Sequence, residues 1–192
     1  MKDVYERLRE FLDNLGSGYP KTENGVEIKI LKRLFTKEDA ELFMGLTPLL
    51  ETPEDAARRL GLDPDETADH MERMAKKGLL FRHRKDDLLR YSAAPFVVGI
   101  FEFQVGTLDK ELARDIKAYY ETAFGKTIQS FKTPILRTIP INREIAAKWP
   151  VAPYEDVLEI MNNHDIIAVA PCICRKEAHL NNEACDKPLE AC

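Results

Sequence analysis

The sequence predicts an α+β, mainly helical fold: a helix-turn-helix unit with a β-hairpin, followed by a small α/β layer that carries a cysteine tail. Three observations predict it. Apolar residues recur at helical spacing through most of the front of the chain. Two helix starts and two helix stops succeed one another between Thr52 and Gly78, and two short strand-like runs follow them. Every cysteine lies between Val169 and Cys192, directly after the β-branched, apolar run Asp165 to Ala170.

Composition sets the outer limits. With 192 residues, 44% hydrophobic and 32% charged, the chain can bury one good core or two small ones. Its net charge of −5 and pI of about 5.5 argue against a protein whose main business is binding polyanions. No apolar run reaches membrane-spanning length, and the N-terminus Met1-Lys-Asp-Val-Tyr-Glu is charged rather than signal-like. A cytoplasmic protein without a membrane partner is therefore expected, in a compartment where disulfide scaffolds are rare.

The elements follow in order. Val4, Leu8, Phe11, Leu12 and Leu15 form a helical stripe that Gly16-Ser-Gly-Tyr-Pro20 terminates. This amphipathic arm packs either on its own domain or on a second copy. After the Asn24-Gly25 turn, Val26, Ile30, Leu31, Leu34 and Phe35 mark the next helix. Thr36 then opens another, with Asp39 at the capping-box position and Leu42, Phe43 and Leu46 on the core face.

Sharper signals come next. Thr52-Pro53-Glu54-Asp55 is an N-cap, a first-turn proline and two acids, and Gly61 closes that helix. Asp63-Pro64-Asp65-Glu66 repeats the start, and Gly78 closes the second helix. The turn Gly61-Leu62-Asp63 makes the pair a helix-turn-helix. Leu79 to Arg84 and Leu88 to Ser92, flanking Lys85-Asp86-Asp87, read as a hairpin wing, so residues 26–95 resemble a winged helix.

A DNA-reading winged helix would place the second helix, Pro64 to Lys77, in the major groove. Its N-terminal end instead carries Asp65, Glu66, Asp69 and Glu72, which phosphates repel. Arg73, Lys76 and Lys77 at its other end, with Arg82, Arg84 and Lys85 on the wing, are the candidate contacts to DNA or to a protein partner. Basic residues at a helix end also complement its dipole. Protein contact or homodimerisation is the favoured reading, with DNA binding the rival.

Pro95 to Phe103 is aromatic and β-branched and reads as a core strand or buried connector. Leu108, Leu112, Ile116, Tyr119, Tyr120 and Ala123 form a helix face that ends at Gly125, with a loop from Lys126 to Pro134. Ile135 to Ile141 is an edge strand interrupted by Pro140, and Asn142 to Pro150 connects it to a helix from Pro153 to Asn163. Tyr154, Val157, Leu158 and Met161 of that helix point inward. Strand Asp165 to Ala170 completes a strand–helix–strand layer. The expected divisions are an N-terminal arm (1–25), a winged-helix domain (26–95), a small α/β domain (96–170) and a cysteine-rich tail (171–192).

The tail carries the chemistry. Cys172, Cys174, Cys185 and Cys192 are spaced C-x-C-x10-C-x6-C, and four thiols confined to one stretch suggest a shared role in holding metal. If the preceding strand delivers Cys172 and Cys174 extended, residues two apart are separated by about 6.6 Å. Tetrahedral zinc needs sulfurs roughly 3.8 Å apart. An iron-sulfur cluster accepts a wider bite, so the spacing tilts toward iron and sulfide and leaves zinc as the alternative. A disulfide pair and unligated thiols are the plainer readings. Arg175 and Lys176 would favour thiolates and offset a cluster's negative charge. His179, also in the tail, could replace a thiolate but reads better as a surface residue. A chain that stops on a candidate ligand, Cys192, is expected to be the front part of a longer protein.

No phosphate loop, nucleophile elbow or paired-histidine zinc motif is present, and His70, His83 and His164 are scattered. Acid pairs such as Glu54-Asp55 are accounted for by capping, so no catalytic residue is assigned.

Four stretches together resemble a family of 4Fe-4S-binding, ferredoxin-type proteins of anaerobes: Gly18-Tyr-Pro-Lys-Thr-Glu-Asn-Gly-Val-Glu, the winged helix, Pro95-Phe-Val-Val-Gly-Ile-Phe-Glu-Phe-Gln and Ala168-Val-Ala-Pro-Cys-Ile-Cys-Arg-Lys-Glu. Members resembling this chain continue into further cysteine clusters. The resemblance implies Cys172, Cys174, Cys185 and Cys192 as ligands of a 4Fe-4S cluster, single-electron transfer and a redox partner protein. The chain departs from the longer pattern in lacking a C-x2-C-x2-C-x3-C-P run.

Overall fold

The structure, a computed structural model, describes residues 2–133 and 154–190. Among these the chain is mainly helical, with one two-stranded antiparallel sheet. No described helix is long and apolar enough to cross a membrane.

Helix α1 (Val4–Asp13) buries Leu8 and Leu12 completely and packs on α2 (Val26–Leu34) and α3 (Lys37–Gly45). The arm thus packs on its own body, and the Tyr5 hydroxyl donates to the Phe35 carbonyl at 3.1 Å. Tyr19, in the connection to α2, is fully buried. Its ring lies 4.7 Å from Phe96 and 4.8 Å from Tyr119, and its hydroxyl donates to the Glu27 carbonyl.

The capping signals are realised as written. The Asp39 N–H donates to Thr36 Oγ1 at 3.1 Å and the Thr36 N–H to Asp39 Oδ2 at 3.0 Å, a closed capping box. Helix α4 (Pro53–Leu60) is capped by Thr52 and ends at Gly61, whose φ of 69° suits glycine. Helix α5 (Pro64–Lys76) is capped by Asp63. Strands β1 (Leu80–Lys85) and β2 (Leu88–Ala93) follow, joined by Asp86 and Asp87 at φ 52° and 58°. Those angles fit a two-residue turn matched to the twist of the strands. On its other side β2 meets Glu51, which exchanges two backbone hydrogen bonds with Tyr91.

Residues 95–107 form a partly buried connector rather than a strand. Phe96, Gly99, Ile100 and Phe101 are buried, and α6 (Phe101–Phe103) leads into a tight turn at Gln104–Gly106. Gln104 is 3% exposed, and its amide nitrogen reaches the carbonyls of Lys77 and Ile100 at 3.1 and 3.2 Å. This turn is therefore fastened to the end of α5.

Helix α7 (Lys110–Tyr119) does not stop at Gly125. A wide π turn over Tyr120–Phe124 carries it into α8 (Gly125–Ser130), which replaces the front of the expected loop. Gly125 has the ordinary helical φ of −62°. A Cβ there would lie 2.7 Å from the Tyr120 carbonyl oxygen, so the glycine admits the wide turn instead of ending the helix.

One core runs from Val4 to Ile173, with Phe96, Leu112, Ile116, Tyr119 and Phe124 in the same cluster as Leu8, Ile30 and Phe43.

Helix α9 (Tyr154–Asn162) occupies the expected position, but Leu158 and Met161 are both 45% exposed rather than inward. Asp165–Ala170 is not a strand: Ile166 is 89% and Val169 75% exposed, and no described segment pairs with them. A strand exists through pairing, and the expected neighbour, residues 135–141, lies outside the described residues, as does the connector 142–150.

Candidate metal centre

The cysteine tail begins on a helix. Cys172 is the N-cap of α10 (Ile173–Leu180), and Cys174 lies in its first turn. The extended spacing expected for this pair is therefore not the one found, and the preference for a wide metal bite loses that support. The change has a local cause: without strand pairing upstream, Ile173-Cys-Arg-Lys-Glu-Ala-His-Leu follows its own helical pattern. It buries Ile173 and packs Leu180 on the core.

Helix α10 is fastened to the body along one side. Lys176 Nζ donates to the Val105 carbonyl, and the Asn181 side chain donates to the Ala113 carbonyl at 3.2 Å. Beyond the helix, Glu183 pairs with Lys117. The chain then turns back, so that the Cys172 N–H donates to the Leu189 carbonyl at 2.6 Å. Residues 172–189 thus close a loop whose two ends meet beside Cys172.

Cys172 is half-buried, and Cys174 and Cys185 are exposed. Arg175 Nη1 donates to Cys185 Sγ at 2.9 Å, which brings the third cysteine up to the helix bearing the first two. The backbone N–H of Lys187, followed by the Arg175 guanidinium, holds the Cys185 thiol below its ordinary range, toward thiolate. Cys192 lies outside the described residues. Among the described residues, no three His, Cys, Asp or Glu side chains gather into a metal-holding group. The donor chemistry is nonetheless that of a soft-metal site: sulfur ligands, a helix N-terminus and a cation already on one sulfur. Cys172, Cys174, Cys185 and Cys192 are the residues that could hold such a group. His179 is exposed on α10.

The two tail cations differ in role. Arg175 reaches sulfur, whereas Lys176 is turned to the body of the protein.

The six basic residues of the helix-hairpin unit also divide. Lys77 bonds Asp39 at 2.7 Å, and Arg82 and Lys76 meet Glu72 at 2.9 and 3.5 Å. Arg73, Arg84 and Lys85 are exposed, with no ion pair among the described residues. Asp65, Glu66 and Asp69 are exposed at the start of α5, so that end of the helix presents negative charge.

Beyond the capping box, the cluster around Asp39 was not legible in the sequence. This carboxylate, 2% exposed, accepts from Lys77 at 2.7 Å and sits 2.9 Å from His70 Nε2 while it closes its capping box. Burial alone would raise its pKa. The bonds from Lys77, the Thr36 N–H and His70 outweigh that and bring it down to about 2. Tyr91 and Glu72 form a second polar contact, with the hydroxyl donating at 2.7 Å. Helical spacing could have placed His70 and Lys77 on one face of α5, but not Asp39 opposite them.

Comparison of the chain with protein-family models, curated proteins and solved structures finds no match.

Proposed function

We propose that this protein binds a 4Fe-4S cluster through Cys172, Cys174, Cys185 and Cys192 and acts in electron transfer in the cytoplasm, as a carrier or a component associated with an oxidoreductase. The observation that carries the reading is the concentration of the cysteines in the tail. All four cysteines of the chain fall in its last 21 residues, and the Cys185 sulfur is bonded by Arg175 from the helix that bears Cys172 and Cys174. When bound, the cluster supplies reversible one-electron chemistry. The chain's own groups hold it: thiolates as ligands, with Arg175 offsetting negative charge.

On this reading, residues 26–95 are a winged helix used for protein contact or dimerisation. The bridge from Glu51 to β2 and the hairpin after α5 support the architecture. The acidic exposed start of α5 supports a protein partner over phosphate. Arg73, Arg84 and Lys85, exposed, favour the rival: a redox-sensing regulator that binds DNA through the wing. Salt-dependent binding to duplex DNA that changes on oxidation would select the rival.

The ligand assignment is tested by metal content. Cys172→Ser is expected to lower bound iron strongly in protein purified without oxygen, and His179→Ala to leave it unchanged. Equal losses would make the histidine a ligand.

A further inference from the structure

Arg175 and Lys176 are adjacent on α10 and turn in different directions. Lys176 reaches back to the Val105 carbonyl, in the turn that Gln104 fastens to the end of α5. Together with buried Ile173 and the bond from Asn181 to Ala113, it fixes the helix to the core. Arg175 instead spans to a residue ten positions downstream, with Nη1 2.9 Å from Cys185 Sγ.

The partner of that bond lies in a segment whose other ties are the Lys117–Glu183 pair, the Lys187 N–H on the same sulfur and the backbone bonds near its two ends. Residues 182–190 are exposed throughout and contain no helix or strand. The Glu183 N–H bonds the Ala178 carbonyl at 2.8 Å near the segment's start, and Leu189 meets Cys172 near its end. Cys185 sits between these two ties. A sulfur on such a segment samples many positions, and each ligand that must be ordered on binding costs conformational entropy. A guanidinium already bonded to the sulfur removes part of that cost.

We propose that Arg175 is the positioning residue of the cysteine site: its guanidinium holds the Cys185 sulfur against the helix carrying Cys172 and Cys174, ready for metal, while Lys176 anchors that helix to the body. This rests on the reading of these cysteines as metal ligands. It adds a division of labour that the two neighbouring cations do not reveal in sequence. The fork geometry of arginine matters, because it can keep contact with sulfur while its other nitrogens face neighbouring acceptors.

Cobalt(II) is a suitable probe, since thiolate ligation gives it an intense near-ultraviolet absorption. The reduced full chain is titrated with cobalt(II) without oxygen, alongside Arg175→Met, Arg175→Gln, Arg175→Lys and Lys176→Met, and thermal unfolding of each is followed without metal. Arg175→Met and Arg175→Gln are expected to weaken cobalt affinity by about 10- to 100-fold, as loss of a group orienting a ligand does, and to leave the unfolding midpoint unchanged. Arg175→Lys should recover part of the affinity. Lys176→Met should show the converse, a lower midpoint with little change in affinity. Wild-type affinity in both Arg175→Met and Arg175→Gln, or a loss matched by a falling midpoint, overturns the proposal. Absence of the thiolate absorption in the wild type overturns the metal-ligand reading itself, and the proposal with it.

Discussion

Asp39 closes the first turn of α3 and also receives Lys77 and His70 from α5, so one carboxylate joins two helices. Its pKa of about 2 lies below the ordinary 3.8, so folding favours its ionised form. The stability linked to that difference is present in full above the unfolded value and is lost as pH falls from about 4 through about 2. Asp39→Asn is therefore expected to cost about 2 kcal/mol at pH 7, from a shift of nearly two units at 1.36 kcal/mol each. The gap between variant and wild type should close as the pH approaches 2. Urea unfolding at a series of pH values checks this, and a gap independent of pH would contradict it. Only half of the arrangement is legible in the sequence. Thr36 and Asp39 announce a capping box because both partners lie within one turn. The contacts to Lys77 and His70 depend on how α3 and α5 cross, which no local pattern encodes. The pairing of Arg175 with Cys185 was hidden for the same reason, and only the presence of a cation near sulfur was readable.

Helices α4 and α5 and the hairpin were legible because each carries its own punctuation: Thr52-Pro53, Gly61, Asp63-Pro64 and the Asp86-Asp87 turn. Where a signal has two physical uses, the reading failed. Gly125 looks like a helix stop, yet it sits at φ −62° inside a continuous helix and makes room for the Tyr120 carbonyl. Gly125→Ala is thus expected to destabilise by about 1–3 kcal/mol, the cost of crowding a tight backbone contact, against the gain of up to about 1 kcal/mol that alanine usually brings inside a helix. A raised midpoint in thermal unfolding would contradict the role given to this glycine. The segment Asp165–Ala170 failed differently. Its β-branched composition suits a buried strand, but composition cannot supply a pairing partner, and Ile166 and Val169 are bare. Cys172 and Cys174 lie instead at the start of α10. The expected metal bite depended on a neighbour several turns away in sequence.

At the scale of the whole molecule, a single core ties the N-terminal arm to the helix that bears the first two cysteines. The rings of Tyr19, Phe96 and Tyr119 contact one another within it, and Leu8 and Ile173 belong to the same cluster. Mean composition and periodicity foretold a mainly helical body. They could not foretell that residues 96–130 belong to the same core as α1–α3, because burial across a domain boundary leaves no trace in spacing. The turn at Gln104 and Val105 links the two ends of this arrangement: Gln104 bonds the end of α5, and Val105 accepts from Lys176 of α10. The proposed carrier role would rest on this scaffold, with the cysteine loop as its cluster site. The decisive measurement is iron and acid-labile sulfide analysis, with an absorption spectrum, of protein purified in the absence of oxygen. A brown protein with iron and sulfide in equal amounts, bleached on one-electron reduction, is the predicted result; a colourless protein holding zinc and no sulfide would contradict it.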